Sequence, residues 1–211
     1  MARISKGILG SFSGTVGTVV GASWRGVEYI RSRPGKRKGE LTEKQKSQHA
    51  RFSMMLGFLT TMKDLLFLGY KDHASRMTEA NSALSFNLKN AVSGVYPAFA
   101  IVFPQVLVTR GSLPNATAPG AVAGAAGIIN FNWTDNSGIG KAKGADKAIL
   151  VAYCEALQQT VYVMDALRSA AAGNLAVPGF SGESVQTWIS FITDDGKDIA
   201  TSVFTGVVNV L

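Results

Sequence analysis

Near the start of the chain, Trp24, Arg25, Tyr29, Arg31, Arg33, Lys36, Arg37 and Lys38 crowd around Pro34 and Gly35. These types at this density suit recognition chemistry. Guanidinium and ammonium groups meet phosphates or an acidic protein surface, and phosphate contacts release counterions, so such binding weakens with salt. Aromatic rings among the cations would stack on bases or anchor a protein interface. The blander reading is a solvated basic loop, with Trp24 and Tyr29 buried as core residues. The sequence leaves both open.

Catalytic chemistry finds no comparable constellation. His49 stands in a polar helix start and His73 in a loop, neither with Cys or His at zinc-ligand spacing. The second half of the chain has no histidine, which argues against a Ser-His-Asp site there. Cys154 is the single cysteine, so no intrachain disulfide forms, and its apolar run predicts a buried, inert thiol. Ser137–Lys141 resembles a phosphate loop, but its glycine spacing is wrong, Ala142 replaces the required hydroxyl residue, and a strand follows. Asp135–Gly138 has the start of a calcium loop without the later acidic ligands. Asp194-Asp195-Gly196 is a good turn before it is a cation site. No clustering of Glu and Asp favours a glycosidase-like carboxylate pair. The expectation is a protein that is not an enzyme, with no catalytic, cofactor-binding or metal-binding residue.

The charge is unevenly placed. Of a net +7 over 211 residues, residues 1–51 carry 11 Lys or Arg against 3 acids, while the remainder carries 10 against 11. The basic excess therefore belongs to the first quarter, and the rest has the balance of an ordinary ordered domain. No apolar run is long enough to span a bilayer. Gly10, Ser11, Ser13 and Gly14 interrupt any signal-peptide core. These features predict a cytoplasmic product, or one incorporated into a virion or other assembly made in the cytoplasm.

The elements that would position the basic residues are legible in outline. Thr15–Val20 and Val27–Arg31 are β-prone, and the Gly-bounded segment 21–26 between them reads as a hairpin connection. A two-stranded hairpin is marginal alone, so it must pack on its own domain or on a partner. Thr42 with Gln45 has the form of a capping box. Phe52, Met55, Leu56, Leu59, Met62 and Leu66 then recur at helical spacing, predicting one helix from about Glu43 to Leu68. A second helix should follow Thr78 to Val92, with Ala80, Leu84, Leu88 and Ala91 as its stripe. Ala98–Phe103 and Val106–Thr109 read as strands, and the Ala-, Gly- and Pro-rich segment Asn115–Gly127 as a loop or linker with weak strand character at Ala121–Ala123. Short strands then alternate with turns at Ile128–Thr134, Lys147–Cys154, Thr160–Met164, Leu175–Val177, Ser184–Thr193 and Ser202–Val210. That spacing indicates an antiparallel β-sandwich of immunoglobulin or fibronectin type, with a jelly roll or small barrel as the alternative. The expected fold class is α+β: an N-terminal β-hairpin arm (1–41), a helical pair (42–95) and the sandwich (96–211).

Several strings together resemble a family. SKGILG at Ser5–Gly10, FSGTVGTVVG at Phe12–Gly21 and WRGVEYIRSRP at Trp24–Pro34 look like the opening of a family of uncharacterised Bacteroidota proteins. Ser85–Asn90, Arg110–Pro114, Trp133–Gly138, Gly140–Lys143, Asp146–Val151 and the GFSG string near Gly179 extend the resemblance over nearly the whole chain. It implies one coherent family protein, a domain of unknown function, and no activity. The functional expectation is a structural or interaction protein that docks into a larger assembly through its N-terminal arm, such as a phage virion component. It should be an oligomer or bind protein partners, with no membrane. The alternative is a nucleic-acid-binding protein using residues 25–38.

Overall fold

A computed structural model describes residues 3–4, 10–24, 26–35 and 39–211. The chain divides into two compact units, Met1–Thr42 and Glu43–Leu211.

The N-terminal unit is a four-stranded antiparallel meander of β1 (Arg3–Ile4), β2 (Phe12–Val16), β3 (Val19–Trp24) and β4 (Val27–Ser32). The expected strand Thr15–Val20 is in fact two strands. Gly17, at φ 57°, opens a two-residue turn that pairs Val16 with Val19, a position where tight hairpins favour glycine. The turn into β4 is correspondingly shorter than the expected 21–26 connection. Gly21 lies inside β3, opposite Gly14, where a Cβ would collide with the carbonyl oxygen of Phe12. Its role is close approach between strands rather than a bend.

The second unit opens with three helices: α1 (Glu43–Thr60), α2 (Lys63–Gly69) and α3 (Glu79–Asn90). The single helix expected over 43–68 is broken, with α1 and α2 meeting at 88°. The cause is local. Thr60 Oγ1 donates to Leu56 O and Thr61 Oγ1 to Phe58 O, each at 2.7 Å, while the amides of Thr61 and Met62 turn to i−3 carbonyls. Two β-branched hydroxyl residues in succession offer the backbone an alternative to the ladder. Apolar periodicity runs through the break because both helices face the same core: Met55, Phe58, Leu59, Met62, Leu65 and Leu66 are all buried. Phe52 and Leu56, expected in the apolar stripe, are exposed. As expected, α3 begins after Thr78, whose Oγ1 accepts from the amide of Asn81. No single helix among the described residues is long and apolar enough to cross a membrane.

A short hairpin, β5 (Val92–Val95) and β6 (Ala98–Ile101), leads to seven further strands. These are β7 (Thr117–Ala123), β8 (Ile128–Thr134), β9 (Lys147–Cys154), β10 (Gln159–Val163), β11 (Ala172–Ala176), β12 (Ser184–Ile192) and β13 (Val203–Asn209). They form two antiparallel sheets, ordered β10-β9-β12-β13 and β11-β8-β7. The chain crosses between the sheets after β8, β10 and β11. This is an immunoglobulin/fibronectin-like sandwich. The segment expected to be a linker contains β7. Its composition is that of an edge strand: Pro119 lacks a ladder donor and is tolerated at an edge.

Two cores meet at the four-stranded sheet. On one side Leu150, Ala152, Ile189 and Phe191 face Ile129, Phe131 and Leu175 of the three-stranded sheet. On the other, Ile149, Val151, Tyr153 and Trp188 pack with Met55, Phe58 and Leu66 of the helices. β9 is therefore buried on both faces from Ala148 to Cys154, which explains its unbroken apolar sequence. The helices act as a third layer of the same unit.

Val106–Thr109, expected as a strand, is a connecting segment held by side chains. Asn87 Nδ2 donates to Leu107 O and its Oδ1 accepts from Leu107 N, both at 3.0 Å, copying a ladder pair. The Tyr70 hydroxyl donates to the same carbonyl at 2.9 Å. Burial pushes its pKa above the usual phenol range, so the donating proton stays. Ser202 Oγ accepts from Val108 N at 2.9 Å.

Trp188 lies where helices and sheet meet, against Phe58, Phe103 and Phe204. It is fully buried, and its indole N–H has no hydrogen-bond partner. Trp188→Ala should cost about 3–5 kcal/mol. Trp188→Phe should cost clearly less, because the polar group it removes is unsatisfied. Urea unfolding followed by circular dichroism checks this, and equal losses from both substitutions would contradict the packing described.

Candidate interaction surface of the N-terminal sheet

Register decides which side chains of the N-terminal sheet act together. β3 and β4 pair Val20 with Arg31, Ala22 with Tyr29 and Trp24 with Val27. Directly opposed residues share a face, as do alternate residues along a strand. One face therefore presents Trp24, Val27, Tyr29 and Arg31 together. Trp24 is 52% and Tyr29 43% exposed. The question left open by the sequence is answered: these rings are on the surface. Arg33 follows β4, exposed, its amide donating to Thr18 O at 2.7 Å. Arg25, Lys36, Arg37 and Lys38 lie outside the described residues.

The other face carries Val16, Val19, Gly21 and Ile30, brought together by the pairs Val16–Val19 and Gly21–Ile30. Val16 is 56% and Ile30 63% exposed. All six residues of β4 are exposed, and the strand order leaves it at the sheet edge. Trp, Tyr and Arg are the side chains that most often anchor interfaces. An edge strand offers unpaired backbone groups to an added strand.

The loops at one end of the sandwich gather a further set of titratable groups. An open cleft of about 500 Å3 lies there, lined by Lys141, Lys143, Asp146, Asp194, Asp195 and Asp198 among others. Its charges are largely used internally: Lys141 pairs with Asp198 at 3.1 Å, Lys147 with Asp194 at 3.2 Å and Lys197 with Asp195 at 3.0 Å. Among the described residues no three His, Cys, Asp or Glu side chains are placed to hold a metal ion. Asp135 Oδ1 accepts from the hydroxyl and amide of Ser137, which holds its pKa below the usual carboxylate range. Cys154 is buried, His49 is exposed on α1, and His73 is half-buried beyond α2.

Sequence reasoning missed Arg168. It is completely buried beside Asp146, with Nε 3.1 Å from Oδ2. Its remaining guanidinium nitrogens donate to Asn136 Oδ1 at 2.7 Å and Pro114 O at 2.9 Å, and its guanidinium carbon lies 4.1 Å from the centre of the Phe191 ring. Trp133 Nε1 donates to the Arg168 carbonyl at 2.8 Å. Burial lowers the guanidinium's pKa while Asp146 opposes the shift. The group ties three loops together and touches no open site. A single Arg in a loop gives no sequence signal of this role.

Two expectations follow. Arg168→Met should cost about 3–5 kcal/mol because the Asp146 carboxylate is left buried without its counter-charge. The double variant Arg168→Met/Asp146→Leu should be more stable than Arg168→Met alone. Urea midpoints decide, and a double variant weaker than the single one would refute the ion-pair account. At Asp195, the Thr193 hydroxyl and then Lys197 lower the carboxyl pKa to about 2. A depressed folded-state pKa favours the charged form, so its contribution is present above about pH 4 and lost as pH falls toward 2. A carbon-detected NMR titration should show the low midpoint, and Thr193→Val should raise it toward the ordinary value. An unmoved midpoint would show that the hydroxyl is not the cause.

Among solved structures, the chicken CNTN1 FN1-FN3 domains are similar, at 13% identity and a TM-score of 0.37. The match covers 48% of this chain, which spans 36% of the length of that one. No curated protein matches the chain. A family model matches residues 11–206, well over half of the sequence, and the chain thus belongs to the family of unknown function DUF6266.

Proposed function

We propose that this is a non-enzymatic interaction protein that docks into a larger assembly through its N-terminal sheet. The observation that carries the reading is the exposure of Val16, Trp24, Val27, Tyr29 and Ile30 on one small sheet with an open edge strand. Fully burying a large apolar side chain is worth about 1.5–3 kcal/mol, so a partner covering Trp24, Val27 and Tyr29 on one face would gain much of an interface, with Val16 and Ile30 available on the other. The partner's sheet edge would accept β4 as an added strand. A virion component of a phage infecting Bacteroidota is the concrete form; it rests on the resemblance of the N-terminal strings and on architecture by analogy.

One observation favours a second reading. Trp24, Tyr29 and Arg31 share a face, and interleaved aromatics and cations are the platform on which single-stranded nucleic acid stacks. The neighbouring basic residues would add phosphate contacts.

Size-exclusion chromatography with light scattering separates the two readings. It compares the full chain, a chain beginning at Thr42, and the double variant Tyr29→Ser/Ile30→Lys, at low and high salt. Docking predicts a salt-resistant oligomer that is lost in both altered proteins while residues 43–211 stay folded. A monomer throughout would sink self-assembly and turn the search to other partners. Saturable binding of a single-stranded oligonucleotide that falls steeply with salt would then favour the second reading.

A further inference from the structure

Ser85, Phe86 and Lys89 lie on adjacent positions of one face of α3, at the three- and four-residue spacing of a helix. They line a cleft of about 400 Å3 that His73, Met77 and Arg110 also border. The volume is that of a small-molecule site. The cleft has two kinds of wall. Lys89 and Arg110 bring positive charge, and no acid lines the cleft. Among the described residues neither of them has a carboxylate partner. Met77 and Phe86 bring apolar surface. The Arg110 guanidinium lies 4.9 Å over the Phe86 ring, which fixes its fork in place before anything binds.

Further charge lies alongside. Ser85 and Lys89 also border an adjoining cleft with Arg51. Arg51 is anchored by a hydrogen bond from its guanidinium to Leu88 O, and its Nε is buried without a partner. His73 Nδ1 is likewise buried and unpartnered among the described residues. Arg51 Nε and His73 Nδ1 are thus buried polar atoms left unsatisfied among the described residues.

We propose that this cleft binds a phosphate-bearing small molecule with an apolar body. The phosphate would sit on Lys89 and Arg110, with the Ser85 hydroxyl as a further donor, and the body against Met77 and Phe86. The arginine fork suits bidentate phosphate contact, and lysine serves as a point charge.

Phenyl phosphate is the probe, titrated into the full chain while the amide signals of Ser85, Lys89 and Arg110 are followed by NMR. Inorganic phosphate, phenol and benzoate are the comparison ligands. Phenyl phosphate should saturate and bind more tightly than each of the three. Lys89→Gln and Arg110→Gln should each weaken it roughly tenfold, Ser85→Glu should abolish it, and Lys197→Gln should change nothing. No saturation, equal binding of phenol, or unchanged affinity in Lys89→Gln would overturn the proposal. Benzoate binding as tightly would overturn the phosphate assignment. Ser85 and Lys89 are on the surface, so those variants decide even where Arg110→Gln disturbs folding.

Discussion

The structure of residues 43–211 depends on one constraint: the sheet containing β9 and β12 is apolar on both faces and must be covered on both. The three-stranded sheet covers one side, as in any two-sheet sandwich. The other side needs a second cover, and the helices supply it. The sharp break at Thr60-Thr61 lets one continuous apolar pattern serve two helix directions. Trp188 and Phe58 then fill the space between layers that no sheet partner could reach.

That arrangement creates a secondary problem, which polar side chains solve. The chain must pass from the helical layer to the sandwich through buried space, and Val106–Thr109 has no strand beside it. Buried backbone groups must be satisfied. Asn87, Tyr70 and Ser202 provide the missing partners, so polar groups from α3, the end of α2 and the last strand's entry converge on one connection. Arg168 does the same at the loop end. Its Nε, Nη1 and Nη2 each donate, to a carboxylate, an amide and a carbonyl from three separate segments. In both places the buried polar groups fix which loop meets which, a specificity that apolar packing alone would not impose.

The sequence showed these features unequally, for physical reasons. Strong alternation at Ile128–Thr134 and Ser184–Thr193, and the continuous run at Lys147–Cys154, were legible because each side chain's environment follows from strand geometry. Burial of β9 on both faces was written in its lack of polar residues. The helix break was hidden because periodicity reports the buried face and not the direction of the axis. β7 shows in the sequence only as weak strand character at Ala121–Ala123, because an edge strand of Ala, Gly and Pro has little pattern to show. Gly17 was read as part of a strand since a glycine's turn role depends on its neighbours' pairing. Trp24 and Tyr29 carry no mark of exposure in the sequence, because exposure is a property of what covers them, which local sequence does not contain. Arg168 gave no signal for the same reason: its partners come from positions 114, 136 and 146.

The two units differ in how they satisfy their own apolar surface, and the proposed function rests on this difference. Residues 43–211 bury their large side chains in two layers of core. The N-terminal sheet is made of short strands with glycines at close-contact positions, and it leaves large apolar side chains on both faces exposed. A small sheet gains little from self-burial, so its sequence has no evident internal reason to retain Trp, Tyr, Ile and Val there. Exposed groups of this kind also carry an aggregation hazard that edge strands ordinarily reduce with charge. Here Arg31 and Arg33 stand on or beside the edge strand, and the chain's positive excess lies in the same quarter of the sequence. Exposed apolar side chains and cations therefore stand together on this sheet, and the proposed docking rests on that combination.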